Sequence, residues 1–180
     1  MTDATEGVVT EDVAPNDWTL VSRIAQQLQG EGMSNGDRAS LRRMDPRDPG
    51  RASLALYRLF AEVGLEPRSA EEAHRWTLVV HCLALARGLH AKDATTGRVL
   101  FDLPLTEGRF NMLMAADMEV LFDLLPRLAR RLDAKAAVID WAPLVRLALH
   151  GDRNEGDRQR QKIAQQYARA SYSSSKESAA

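Results

Sequence analysis

Between residues 17 and 172 the apolar residues of this chain recur at steps of three and four, and no segment alternates as a half-buried strand requires. Val79–Val80 and Val138–Ile139 are the only adjacent pairs of Val or Ile in that span, and both lie beside helical patterns. A chain patterned this way predicts an all-α fold of bundle-like helices packed ridges into grooves, with no significant sheet. No repeat at a period of about 30–45 residues appears, which argues against a solenoid.

Punctuation along the chain divides that pattern. Asp17 predicts the cap of a first helix with Trp18, Val21, Ile24, Ala25 and Leu28 on one face and Gly30 at its end. Residues 30–36 read as a loop, followed by a short helix to about Met44 that Pro46 and Pro49 break. A helix from about Gly50 to Val63 would share Leu54, Tyr57, Phe60 and Ala61 on one face and close at Gly64. Ser69-x-x-Glu72 is a capping box opening a long helix through His74, Leu78, His81, Cys82 and Leu85 to Gly88. Residues 89–104 carry the weakest pattern and predict at most short extended pieces. Thr106 and Asp117 cap two further helices, the second kinked at Pro126, and Asp140 caps another with Pro143 in its first turn. A polar last helix follows Gly151, anchored by Ile163, Tyr167 and Ala170. The predicted organisation is an acidic disordered tail over 1–16, a helical domain over 17–172 divisible into lobes of about 17–104 and 105–172, and a disordered tail over 173–180.

Several classes of function are disfavoured. The single cysteine, Cys82, allows no intramolecular disulfide and no cysteine cluster for zinc, and it fits a reducing cytoplasm. No apolar run approaches the roughly 18 residues that span a bilayer, and the acidic start does not resemble a signal peptide, so no membrane partner is expected. His74 and His81 lie two helical turns apart, about 10 Å, which is too far for one metal ion. Neither glycine-rich phosphate cradle occurs, Glu71–Glu72 suits a helix start, and Cys82 sits in an apolar run. Every catalytic template fails together, which predicts a non-catalytic binding protein with no metal and no cofactor.

Charge then points to a partner. The net charge is −1, but residues 1–20 carry five acids and no base, while residues 126–176 hold eleven bases against five acids. Twenty of the 24 basic residues are arginine, the side chain that grips phosphate in a planar fork. Arg38, Arg42 and Arg43 stand on one short helix, with Arg47 just beyond the proline break. Arg127, Arg130 and Arg131 share a face opposite Leu124, Leu128 and Leu132, with Lys135 beyond them. Arg153, Arg158 and Arg160 lie in the last, weakly anchored helix. The alternative for each group is a solvated face whose arginines pair with nearby aspartates. Only 6% of residues are aromatic, so backbone contact is expected rather than base stacking.

The order of six segments carries a resemblance: GDRASLRRMDPRDP, LALYRLF, LTEGRFNMLMAAD, LLPRLARRLDAK, VIDWAPLVRLAL and RQRQKIAQQYARA. Over roughly residues 17–172 the chain resembles the CasB family, the small subunit of the type I-E CRISPR Cascade complex. The resemblance implies an all-helical, two-lobed, non-enzymatic protein in an antiviral ribonucleoprotein. Its implied partners are guide RNA, target DNA as hybrid and displaced single strand, other Cascade subunits and a second copy of itself. Carried onto this chain, it implies phosphate contacts by Arg38, Arg42, Arg43, Arg109, Arg130, Arg131 and Lys135. Two rivals remain from the residues alone: a helix-turn-helix regulator, and a helical enzyme using His74 or His81.

Overall fold

The computed structural model describes residues 16–48, 51, 53–103 and 105–178; of the tail expected over 1–16, residues 1–15 lie outside them, and Asn16 caps the first helix instead. Nine helices account for most of the described residues, and the only extended pairing there is an isolated parallel bridge between His90 and Ile139. The expected all-α fold is what the chain adopts.

Capping chemistry sets most boundaries. In α1 (Asp17–Gln29) the cap is Asn16, one residue before the one predicted, with its side chain accepting the Thr19 N–H at 2.9 Å. Ser34 caps α2 (Asn35–Arg43) through the Asp37 N–H, so the preceding loop is shorter than expected. Ser69 caps α4 (Ala70–Leu85) as the motif predicts, while Glu72 reaches back to the N–H of Arg68 rather than of Ser69. Thr106 and Asp117 cap α6 (Glu107–Ala115) and α7 (Met118–Ala134), and α7 runs on through Pro126. At α8 (Ala142–His150) Asp140 accepts the Ala142 N–H, but the capping position itself falls to Trp141.

Three segments depart from the sequence reading. In α3 (Leu54–Val63), which ends at Gly64 in the left-handed region (φ 71°), the core face is Ala55, Leu56, Leu59, Phe60 and Val63. Leu54 and Tyr57, expected inside, are 63% and 55% exposed. Both faces of this helix carry apolar residues, so periodicity alone did not choose between them. The region expected to be extended contains α5 (Thr96–Asp102), a seven-residue helix. Its Gly97 lets α5 lie directly on the last helix: a Cβ there would stand 2.7 Å from the Tyr167 nitrogen. The Gly97 N–H donates to Gln166 Oε1 at 3.0 Å. Finally, α9 (Asn154–Ser178) continues through residues 173–178, which were expected to be a tail. Ser173 and Ser175 hydroxyls donate to carbonyls four residues back, adding local bonds to a stretch in which none of residues 171–176 is buried.

The core is one cluster of buried side chains drawn from both expected lobes. Helix α4 lies at its centre, packed on α2, α7 and α8, and its residues from Arg75 to Ala84 are all buried. Such a helix is apolar nearly all round because every side meets a neighbour. Trp76 and Trp141 belong to this core, and Trp18 is half-buried beneath the Lys92 ammonium.

Candidate nucleic-acid interface

The C-terminal turn of α2 and the middle of α7 face one another across a hollow of about 480 Å³. Arg42, Arg43, Arg47, Arg127 and Arg130 line it, with Asp45 and Asp123 as its acids and Met44, Pro46, Phe122, Pro126 and His81 as its remaining wall. Arg42 is half-buried and donates through Nε to the Ala84 carbonyl at 3.0 Å. That bond anchors its stem and leaves the terminal nitrogens with no other partner among the described residues. Arg43 is exposed and bonds only within its own helix, to Ala39 O at 3.2 Å. Arg127 and Arg130 are exposed and take part in no hydrogen bond or ion pair among the described residues.

Arg47 differs. It is ion-paired with Glu119 and with Asp123 (3.2 Å), donates to the Glu119 carbonyl at 2.9 Å, and lies over the Phe122 ring. Those carboxylates hold its pKa above the usual arginine value. Arg47 therefore pins the segment after α2 to α7 and sets the width of the hollow.

A second hollow, about 300 Å³, opens between α6 and α7. Leu105, Met112, Leu113, Leu124 and Leu128 make its floor and Arg109, Arg127 and Arg131 its rim, with no carboxylate in the lining. Arg127 borders both hollows. Arginines from three segments, at 42–43, 109 and 127–131, thus form one track around the shared Arg127 side chain. The aliphatic floor is the part that sequence reasoning missed, because Leu124 and Leu128 repeat at the spacing of any buried helix face.

The other predicted residues lie elsewhere. Arg38 is spent on the fold, donating to Leu28 O at 2.9 Å, Asn35 Oδ1 at 3.1 Å and Gly30 O. Arg160 is held likewise, by Gly151 O at 2.7 Å, Ala116 O at 2.9 Å and Asp157 at 3.3 Å. Arg153 lines a separate hollow with Arg68, Glu71, Glu72 and Arg75. Arg158 is exposed and lies 3.9 Å from Glu155. Lys135 is exposed beside Asp102 and Val138 in a wide hollow at the far end of α7.

The histidines have structural surroundings. His81 is buried, with Nδ1 3.0 Å from the Leu41 carbonyl, and burial pushes its pKa down. His74 rests on Phe122 with ring centres 4.6 Å apart. Burial raises the Cys82 thiol pKa well above its usual value. Among the described residues no group of three or more His, Cys, Asp or Glu is placed to hold a metal ion.

Comparison with known proteins supplies the family. The sequence model of the CRISPR-associated protein Cse2 family matches residues 37–167, most of the chain and all of the basic track. The chain belongs to the Cse2 (CasB) family. Among solved structures, this Cse2-family fold is similar to a chain in the crystal structure of E. coli Cascade bound to a PAM-containing dsDNA target with a 32-nt spacer. The TM-score is 0.63 at 23% identity, over 85% of this chain and 95% of that one. That likeness is one of fold. Comparison with curated proteins finds no match. No helix among the described residues is long and apolar enough to cross a membrane.

Proposed function

We propose that this Cse2-family chain is a non-catalytic subunit of a Cascade-type CRISPR surveillance complex. In this reading it holds nucleic acid by the phosphates along the track from Arg42 and Arg43, past Arg130 and Arg127, to Arg109. Its partners are guide RNA and target DNA, as hybrid and as displaced strand, together with other subunits of the complex and a second copy of itself. The observation that carries the reading is the convergence of arginines from three distant segments on two adjoining hollows that share Arg127. Replacing a DNA duplex by an RNA–DNA hybrid is close to balanced in free energy, so modest backbone contacts tip it. Guanidinium nitrogens left without an internal partner, as on Arg109, Arg127 and Arg130, supply such contacts and release counterions as they do so.

Within the predicted set, the contact residues are Arg42, Arg43, Arg109, Arg127 and Arg130, with Arg131 at the rim. Arg38, Arg47 and Arg160 position helices, and Arg153, Arg158 and Lys135 lie off the track. The test is salt-dependent binding of single-stranded oligonucleotides by full-length protein. Arg127→Gln with Arg130→Gln should weaken binding to different sequences alike and lower the log–log salt slope by about 1.4, or about 0.7 per lost contact. Loss confined to particular sequences would contradict backbone contact.

A further inference from the structure

The last helix is the basic segment that the track leaves out. From Arg158 to Lys176 the chain holds five basic residues and no acid. Arg158, Lys162, Gln165, Arg169, Tyr172 and Lys176 follow one another at steps of four and three, so they form one stripe along α9, and all six are exposed. The stripe is about 27 Å long, the length of about eight stacked nucleotides at about 3.4 Å each. Ordinary causes account for its two ends: Arg158 lies 3.9 Å from Glu155, and Lys176 suits the dipole of the last turn. They do not account for its middle. Arg169 has no side-chain hydrogen bond or ion pair among the described residues, and Lys162 has no ion pair there, though its charge reaches Asp140.

The stripe is separate from the track. Helix α9 buries Gln159, Ile163 and Ala170, packs on α5 and α8, and stacks Tyr167 on Phe110 of α6 with ring centres 3.9 Å apart. Arg169 stands two residues on from Tyr167, about 200° round the helix, and so on the side turned from α6. The outer part of the stripe also has nothing of its own to lie on. None of residues 171–176 is buried, and a serine-rich end is a poor helix former, so this stretch gains from a partner that covers it. It carries Tyr172, 64% exposed, with the Lys176 ammonium 5.0 Å from its ring centre. An isolated exposed tyrosine needs no explanation. One flanked by Arg169 and Lys176, with no acid among them, is the pairing of ring and cations that single-stranded nucleic acid uses.

We propose that the outer face of α9, from Lys162 to Lys176, is a second binding site, for single-stranded DNA, in which Lys162 and Arg169 meet the phosphates and a base stacks on Tyr172. Paired strands keep their bases inside, so Tyr172 has nothing to receive from a duplex or a hybrid. The track has an aliphatic floor and no exposed aromatic side chain, which suits a strand held by its backbone alone. The two faces thus divide the work, with the hybrid on the track and the displaced strand on α9. The choice of DNA and this division rest on the function proposed above; the stacking site itself does not. Arg169, Tyr172 and Lys176 lie past residue 167, where the family match ends, so most of the site is on a part of this chain outside that match.

Full-length protein carrying Arg127→Gln and Arg130→Gln isolates α9 from the track. On that background a fluorescent oligothymidylate should still bind, and more tightly than a hairpin duplex. Tyr172→Ser should weaken it roughly ten-fold, while Tyr172→Phe should bind as the background protein does. Lys162→Gln with Arg169→Gln should lower the log–log salt slope by about 1.4. A strand carrying 5-iodouracil, illuminated and mapped by mass spectrometry, should join to Tyr172. Unchanged urea midpoints show that each variant folds, since Tyr172, Lys162 and Arg169 are all exposed. Equal affinity of the Tyr172→Ser protein overturns the proposal. So does loss of all binding with the two track arginines, which leaves a single site. Tighter binding of oligouridylate assigns α9 to RNA, and displacement of the strand by polyglutamate at equal charge assigns it to an acidic protein; either overturns the proposal too. If the track substitutions change nothing while those on α9 do, the proposed function loses its track and the α9 site stands.

Discussion

At the corner where α4, α8 and α9 meet, arginine holds the protein together; on the track, Arg43, Arg109, Arg127 and Arg130 face solvent. Arg75, only 10% exposed, donates to the Leu149 carbonyl at 2.6 Å and pairs with Asp152 at 3.0 Å and with Glu71. Arg160 joins the carbonyls of Gly151 and Ala116. Those acceptors lie at or just past the ends of α8 and α6, where carbonyls lack helical partners and need a donor. Along the track Arg109, Arg127 and Arg130 have no ion pair among the described residues. The same residue type serves structure or surface according to the orphan carbonyls and carboxylates around it. An arginine count therefore overstates an interface, and each guanidinium has to be traced to its acceptors.

Substitutions test that contrast. Arg75→Leu should cost about 2–3 kcal/mol, because the Leu149 carbonyl loses a buried donor while Asp152 and Glu71 regain water. A fall in the urea midpoint checks it, and an unchanged midpoint would erase the distinction. Arg160→Gln should cost about 1–2 kcal/mol, since a shorter amide does not bridge Gly151 and Ala116 at once. Arg127→Gln with Arg130→Gln should leave the midpoint within about 0.5 kcal/mol of the parent, since neither side chain has an internal bond to lose. A large destabilisation there would make the track another structural corner.

The same contrast explains what the sequence makes legible. Helix starts are local events: Ser34, Ser69, Thr106 and Asp117 each bond an N–H three residues on, and three of the four are readable as caps from the sequence. The burial of α4 follows from its apolar run. By contrast, α5 offers one turn of pattern and a glycine whose use depends on α9, seventy residues away, so nothing local announces it. The site divides in the same way. That Arg127 and Arg130 share a face is helix geometry, and their exposure follows from the leucine stripe opposite. Arg38 and Arg42 also share a face, yet one reaches the end of α1 and the other the end of α4. Which helix ends lie nearby is a fact of tertiary packing, and no spacing along the chain encodes it.

The smallest expected effect links the two regions through His81, which is buried in the core and also forms part of the wall beneath Arg130. Burial is the main cause of its lowered pKa; Arg130 lowers it further, while the Leu41 carbonyl and Asp45 oppose the shift. With the folded pKa below the ordinary 6.5, the unfolded chain binds more protons between those two values, so stability is fully present above about 6.5 and is lost as pH falls below it. His90 shifts in the same direction and for the same main reason, and its Nδ1 accepts the Trp141 N–H only when unprotonated. Urea midpoints at pH 7.5 and 5.0 should therefore differ, with the acid value lower. His81→Asn should shrink that difference and leave the part due to His90. Arg130→Gln should shrink it slightly by letting the folded pKa of His81 rise towards 6.5, and Arg127→Gln, absent from the groups acting on His81, should not. If both arginine variants change the acid loss equally, the field at His81 comes from the track as a whole rather than from its nearest guanidinium.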